Sequence, residues 1–161
     1  MGYTGPWMML VHHYEKNEEG EKEYYVFGTY QNGPIRNVLS FQGDVTGMMF
    51  SIHPKIKFFT TDKGDGEGNY FYINNIPEEK SKMRKGFGFG GTKYHDNFKL
   101  WIDEDLDRST VNNGKDRTYG YGALASPGTE KLNIKRLEVW GLGSRYNYEE
   151  QVQYWQDRED E

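Results

Sequence analysis

The sequence predicts a mainly β chain of antiparallel hairpins that ends in a short helical tail. Three observations lead there. Apolar and aromatic residues alternate with polar ones at period two along most of the chain. These runs are broken by clusters of Gly, Pro, Asn and Asp, the residues of turns. Only the final segment carries a helical stripe, with Tyr148, Val152 and Trp155 at i, i+4 and i+7. Composition agrees: with 35% hydrophobic residues and a mean hydropathy of -0.96, the core is lean, and 9 Phe, 13 Tyr and 4 Trp must supply much of its burial.

The elements follow in order. Trp7 to Tyr14 and Tyr24 to Tyr30 read as strands, and the polar segment from Glu15 to Gly20 joins them as a hairpin. Gly47 to His53 and Ile56 to Thr61 form a second hairpin around Pro54, which lacks a ladder donor. A breaker cluster from Asp62 to Gly68 precedes a strand from Tyr70 to Asn74, with Phe71 and Ile73 on one face and Tyr70, Tyr72 and Asn74 on the other. Glu78 to Lys85 suits one or two helical turns. Gly86 to Gly91 is a short or bulged strand, after which Phe98, Leu100 and Ile102 alternate against Lys99, Trp101 and Asp103. Near the end, Leu132 and Ile134 are out of phase with Leu137 and Val139, so a bulge near Lys135 and Arg136 would turn both pairs to the core. The fold residues expected from this pattern are Phe98, Leu100, Trp101, Ile102, Leu137, Val139 and Trp140. The organisation expected is one domain over residues 1–145 with an acidic amphipathic tail over 146–161. That tail is too short to stand as an isolated helix and its acidic end opposes the helix dipole, so Tyr148, Val152 and Trp155 are expected to contact a partner or the domain itself.

Several chemistries find no support. Cysteine is absent, which removes disulfides, thiolate metal sites and Cys nucleophiles. The net charge of -5 resides in the tail, where six acids meet one base, and the rest of the chain balances nineteen acids with nineteen bases. A basic footprint for nucleic acid is therefore missing. No apolar run is long enough to span a bilayer, so membrane insertion is not expected. Gly86, Gly88 and Gly91 match a dinucleotide fingerprint in letters, but a strand follows where that motif needs a helix. Asp103, Asp105 and Asp107 begin like a calcium loop, yet Arg108 and Gly114 stand where Gly and Glu are required. His12 and His13 are adjacent on a strand and face opposite ways. No catalytic constellation, cofactor or metal site emerges.

The strings Phe27-Gly-Thr-Tyr30, Phe50-x-Ile52-x-Pro54, Gly88-Phe-Gly-Gly91, Leu100-Trp-Ile-Asp-Glu-Asp-Leu106, Tyr119-Gly120 and Leu137-Glu-Val-Trp-Gly141 occur in the order and spacing of the TLDc domain. Over residues 24 to 143 the chain resembles that family. The resemblance implies an antiparallel β-sandwich with a few flanking helices, in proteins linked to protection from oxidative damage and to binding and regulating the V-type proton pump. The family offers no agreed catalytic residues to carry over. Family domains begin with a helix and strands ahead of the segment matching Trp7 to Tyr30, so a protein partner is expected to complete or cover this sandwich. The function expected is a non-enzymatic protein-interaction module. The alternative is a structural subunit of a large stable assembly, ciliary or cytoskeletal. Cytoplasmic placement follows, at a cilium or an organelle surface.

Overall fold

The structure is a computed structural model, and it describes residues 5–76, 83–91 and 97–143. Among the described residues, nine strands form two antiparallel sheets: β1 (Trp7–Lys16), β2 (Lys22–Gln31), β3 (Met48–His53), β4 (Lys57–Thr60), β5 (Tyr72–Asn74), β6 (Gly86–Phe89), β7 (Leu100–Asp103), β8 (Thr110–Val111) and β9 (Ile134–Gly141). One sheet has the order β4-β3-β2-β1-β9 and the other β5-β6-β7-β8. The only described helical elements are 3-10 turns at Thr61–Lys63 and Leu106–Arg108. The tail residues Tyr148, Val152 and Trp155 and most of the Glu78 to Lys85 segment lie outside the described residues.

Strand alternation builds the core. Trp7, Met9 and Val11 of β1, Phe27 of β2, Met49 of β3 and Phe59 of β4 face Ile73, Phe89, Leu100, Ile102 and Val111 of the other sheet in one buried cluster. Trp7 meets Phe71 edge-on with ring centroids 5.2 Å apart, the geometry that ring quadrupoles favour. A second cluster on the far side of the smaller sheet joins Tyr72, Phe98 and Trp101, against which Phe41 packs.

The first hairpin is longer than its apolar run, pairing Trp7 with Gln31 through to Lys16 with Lys22. Its turn is closed by Asn17, whose side-chain oxygen accepts from the N–H groups of Glu19 and Glu21 at 3.0 and 2.9 Å. The second hairpin pairs Phe50 with Phe58 and Ser51 with Lys57 around His53 and Pro54. The bulge expected in the last strand is present. His12 pairs with Arg136 and His13 with Ile134, so Lys135 is the extra residue and Leu137 shares the core-facing side with Ile134.

Three expectations are corrected. Val139 lies opposite Met9 on the inward side of β9 but is 58% exposed, and Trp140 lies opposite Met8 on the outward side and is 51% exposed. Their phases follow the alternation; what they lack is cover, because β9 is an edge strand. Neither belongs to the core, and Leu137 is only half-buried. Phe98 is buried, but it does not share a face with Leu100 and Ile102. The chain bends at Lys99, so the Phe98 ring stacks on Trp101 at 5.1 Å while Lys99 turns into the core in its place.

Candidate interaction surface

The glycine-rich strand shows how close packing replaces ligand chemistry. A Cβ on Gly88 would lie 2.4 Å from the Phe98 ring, and one on Gly91 would lie 1.7 Å from the Asn97 carbonyl at a φ of 62°. A Cβ on Gly90 would meet the Asp116 carboxylate at 2.7 Å. That carboxylate accepts from the N–H groups of Gly91, Thr118 and Tyr119 at 2.7, 3.1 and 2.8 Å, tying the turn after β6 to the loop beyond β8. These glycines give room to an aromatic ring and an anionic hub, and no helix N-terminus follows them in the described residues.

The acidic strings are likewise occupied by the protein itself. Asp103, whose side chain is fully buried, receives Arg84 through Nε and Nη2 at 2.9 to 3.1 Å, Trp101 Nε1 at 3.0 Å and the Asp105 N–H at 3.0 Å. Burial pushes its carboxyl up, but the Arg84, Trp101 and Asp105 hydrogen bonds outweigh this and hold it below the ordinary carboxylate range. Asp105 caps the Leu106–Arg108 turn by accepting from the Asp107 N–H. Asp65 pairs with Lys115 at 3.2 Å and Glu67 with Arg117 at 3.2 Å. Among the described residues, no three His, Asp or Glu side chains converge in a way that could hold a metal ion.

The histidines face opposite ways, as their adjacency requires. On the outward side, His12 bridges Tyr24 Oη at 2.8 Å and Glu138 at 2.7 Å. On the inward side, His13 Nδ1 accepts from the Asn133 N–H at 2.9 Å, leaving Nε2 to donate to Glu15 at 2.8 Å. Each ring thus joins β1 to β9 or to the segment before it.

Lys99 is the ionisable group the sequence did not reveal. Period two puts it on the solvent side, yet it is 1% exposed, with Nζ donating to the Gly122 carbonyl at 2.7 Å and lying 4.8 Å from the centre of the Phe59 ring. Burial pushes its ammonium down to about 8, against a smaller opposing pull from Asp116. Among the described residues its partners are a carbonyl and an aromatic face, so no nucleophile-base pair forms around it there.

What remains unsatisfied is a surface. Between the sheets, on the β9 side, a cleft of about 470 Å³ is lined by Ile35, Ile73, Phe87, Ile102, Leu106 and Leu137. Val139 continues the inward face of β9 beyond that cleft, and Trp140 and Leu142 add exposed apolar area along the same edge. An eight-residue edge strand with uncovered apolar positions is a template for another chain. Periodicity could find the strand but not its place at the edge, which is a property of topology.

Comparison with known proteins gives a family. The TLDc domain model matches residues 1–143. "MTOR-associated protein MEAK7" of Danio rerio is 31% identical over 140 residues, covering 86% of this chain and 27% of that protein. Its Gallus gallus counterpart is 30% identical over 120 residues, covering 74% and 24% respectively, and the Homo sapiens protein is 26% identical over 142 residues, covering 88% and 27%. The chain thus spans about a quarter of the length of these relatives. No helix among the described residues is long and apolar enough to cross a membrane. The two antiparallel sheets, the ordered strings that run through them and the match over residues 1–143 agree, and the chain belongs to the TLDc domain family.

Proposed function

We propose that this chain is a non-enzymatic protein-interaction module whose partner covers the open β9 side of the sandwich. The observation that carries the reading is Val139, an inward-facing residue of an edge strand that is more than half exposed beside an apolar cleft. Burying such an edge gives a partner both main-chain hydrogen bonds and apolar contact. The relatives are named for association with MTOR, and the family resemblance points to the V-type proton pump, so a regulatory assembly of that kind is the partner to test first. The acidic tail, with Tyr148, Val152 and Trp155 on one stripe, is the second contact in this reading.

The test is size-exclusion chromatography of the full chain mixed with the purified soluble sector of the pump. Co-elution is expected, weakened by Val139→Lys at the edge and by deletion of residues 146–161. Separate elution of a folded chain refutes pump binding. A complex that withstands high salt and never exchanges subunits would instead identify a fixed structural component.

A further inference from the structure

The outward face of the larger sheet holds exposed apolar and basic side chains that the β9 edge does not explain, and the acid its strands present there, Glu138, is bound to His12. On β3 and β4 the inward residues Met49, Ser51 and Phe59 are buried, so Phe50, Ile52, Ile56 and Phe58 lie on the outward side. Phe50 is itself buried beside its cross-strand partner Phe58. Ile52, Ile56 and Phe58 are 47%, 73% and 53% exposed, so apolar side chains project from the hairpin and its turn. The run from Ile52 to Phe58 contains two exposed lysines and no acid; Lys57 pairs with Ser51 in the inward phase, so the lysine beside the apolar turn residues is Lys55. The β1–β2 ladder extends the pattern, since alternation puts Lys16, Lys22, Tyr14 and Tyr24 on the same outward side. Lys22 lies over the Tyr14 ring at 4.3 Å, and Tyr24 meets His53 of β3 at 5.1 Å, which makes the two hairpins one surface. Glu15 and Glu23, the acids of that ladder, fall in the inward phase, where they bond His13 and Tyr25. The acids Glu18, Glu19 and Glu21 are confined to the turn past the end of the ladder.

We propose that this outward face, with Ile52, Ile56 and Phe58 set beside Lys55, Lys16 and Lys22, docks peripherally on an anionic lipid surface. The charge is local: the chain as a whole carries -5, so the lysines on this face do not reflect a basic protein. The shape also favours lipid over a protein groove. The apolar side chains protrude at and beside a turn and do not line the cleft described above, and a bilayer interface receives protruding side chains without demanding a matched cavity. Lysine stems lie along the apolar boundary while their ammonium groups reach headgroup phosphates. Contact of this kind is shallow and reversible, and requires no membrane-spanning segment.

The test is co-flotation of the full chain with vesicles of phosphatidylcholine alone and of phosphatidylcholine mixed with phosphatidylserine. Binding is expected only to the mixed vesicles and should fall as salt rises. Lys22→Ala with Lys55→Ala should weaken it about thirtyfold, and Ile56→Ser with Phe58→Ser about tenfold or more. All four positions are exposed, and an unchanged thermal melt confirms that each double variant is folded. Absence of binding to the mixed vesicles overturns the proposal, as does equal binding by wild type and both variants. Binding of a soluble Glu- and Leu-rich peptide to this face without vesicle binding also overturns it, in favour of an acidic protein partner.

Discussion

Lys99→Met tests whether the core contains a charge that weakens it. The Lys99 ammonium is pushed from 10.5 to about 8 by burial. At 1.36 kcal/mol per pKa unit, keeping it protonated at pH 7 costs the fold about 3 kcal/mol. Because the folded value lies below the unfolded one, the unfolded chain binds more protons between about pH 8 and 10.5, so stability rises with pH across that window. Methionine keeps the stem and removes the charge, but leaves the Gly122 carbonyl without its donor, a loss of about 1 kcal/mol. The variant should therefore be about 2 kcal/mol more stable than wild type at pH 7. The sign should reverse near pH 10.5, where the neutral amine still donates to Gly122 at little electrostatic cost. Urea unfolding of both proteins at each pH, followed by tryptophan fluorescence, measures the difference, and titration of the tyrosines common to both largely cancels in it. A variant less stable at pH 7 by a gap that does not change with pH would refute the argument, since the ammonium would then be solvated in the folded state.

Three further outcomes follow from the packing. Arg84→Ala strands the buried Asp103 carboxylate and should cost about 2 to 3 kcal/mol at pH 7, the lower part of the range for a broken buried pair because the Arg84 side chain is 36% exposed. The pair's contribution is present above the unfolded carboxyl value near 3.8 and is lost as pH falls through the lower folded one, so the wild-type advantage in urea titrations should close in acid. Gly88→Val drives side-chain atoms into the Phe98 ring, where even a Cβ would come within 2.4 Å, and should lower stability by about 1 to 3 kcal/mol while disturbing the near-UV signal of Trp101. Trp140→Ser should change unfolding free energy by less than about 0.5 kcal/mol, as at an ordinary surface site, whereas a buried tryptophan would cost several times more.

Much of the sheet structure was legible because each strand has to choose a face. The break in phase between Ile134 and Leu137 locates a bulge near Lys135 and Arg136 without any knowledge of the partner strand, since one extra residue restores both to the same side, and the register with β1 then assigns it to Lys135. The two hairpins are legible from their turns, although the first extends past its apolar residues because Asn17 and Gly20 close it farther out. Lys99 was not legible. Alternation assumes that the strand is already regular at Lys99, and it becomes regular only at Leu100. Val139 and Trp140 illustrate the opposite failure: their phases were readable, but exposure depends on which strand ends up outermost. The surface of Ile52, Ile56 and Phe58 was hidden for a related reason, since an apolar run reads as core until the opposing sheet is known to lie on its other side.

The order of the larger sheet also sets a sequence of events in folding. Strands β4, β3, β2 and β1 are neighbours both in the chain and in space, so each can zip to the next by closing a short loop. Strand β9 is different: His13 pairs with Ile134 across a stretch of sequence that contains the whole of the second sheet. Pairings of such long sequence separation carry the largest loop-closure entropy and are expected late on the folding path. The edge we propose for a partner is therefore expected to be the last laid down, and a chain caught part-way would present β1 there, which lacks the exposed Val139 and Trp140. Assembly through β9 would thus inspect its own component, engaging only chains whose two sheets have already closed.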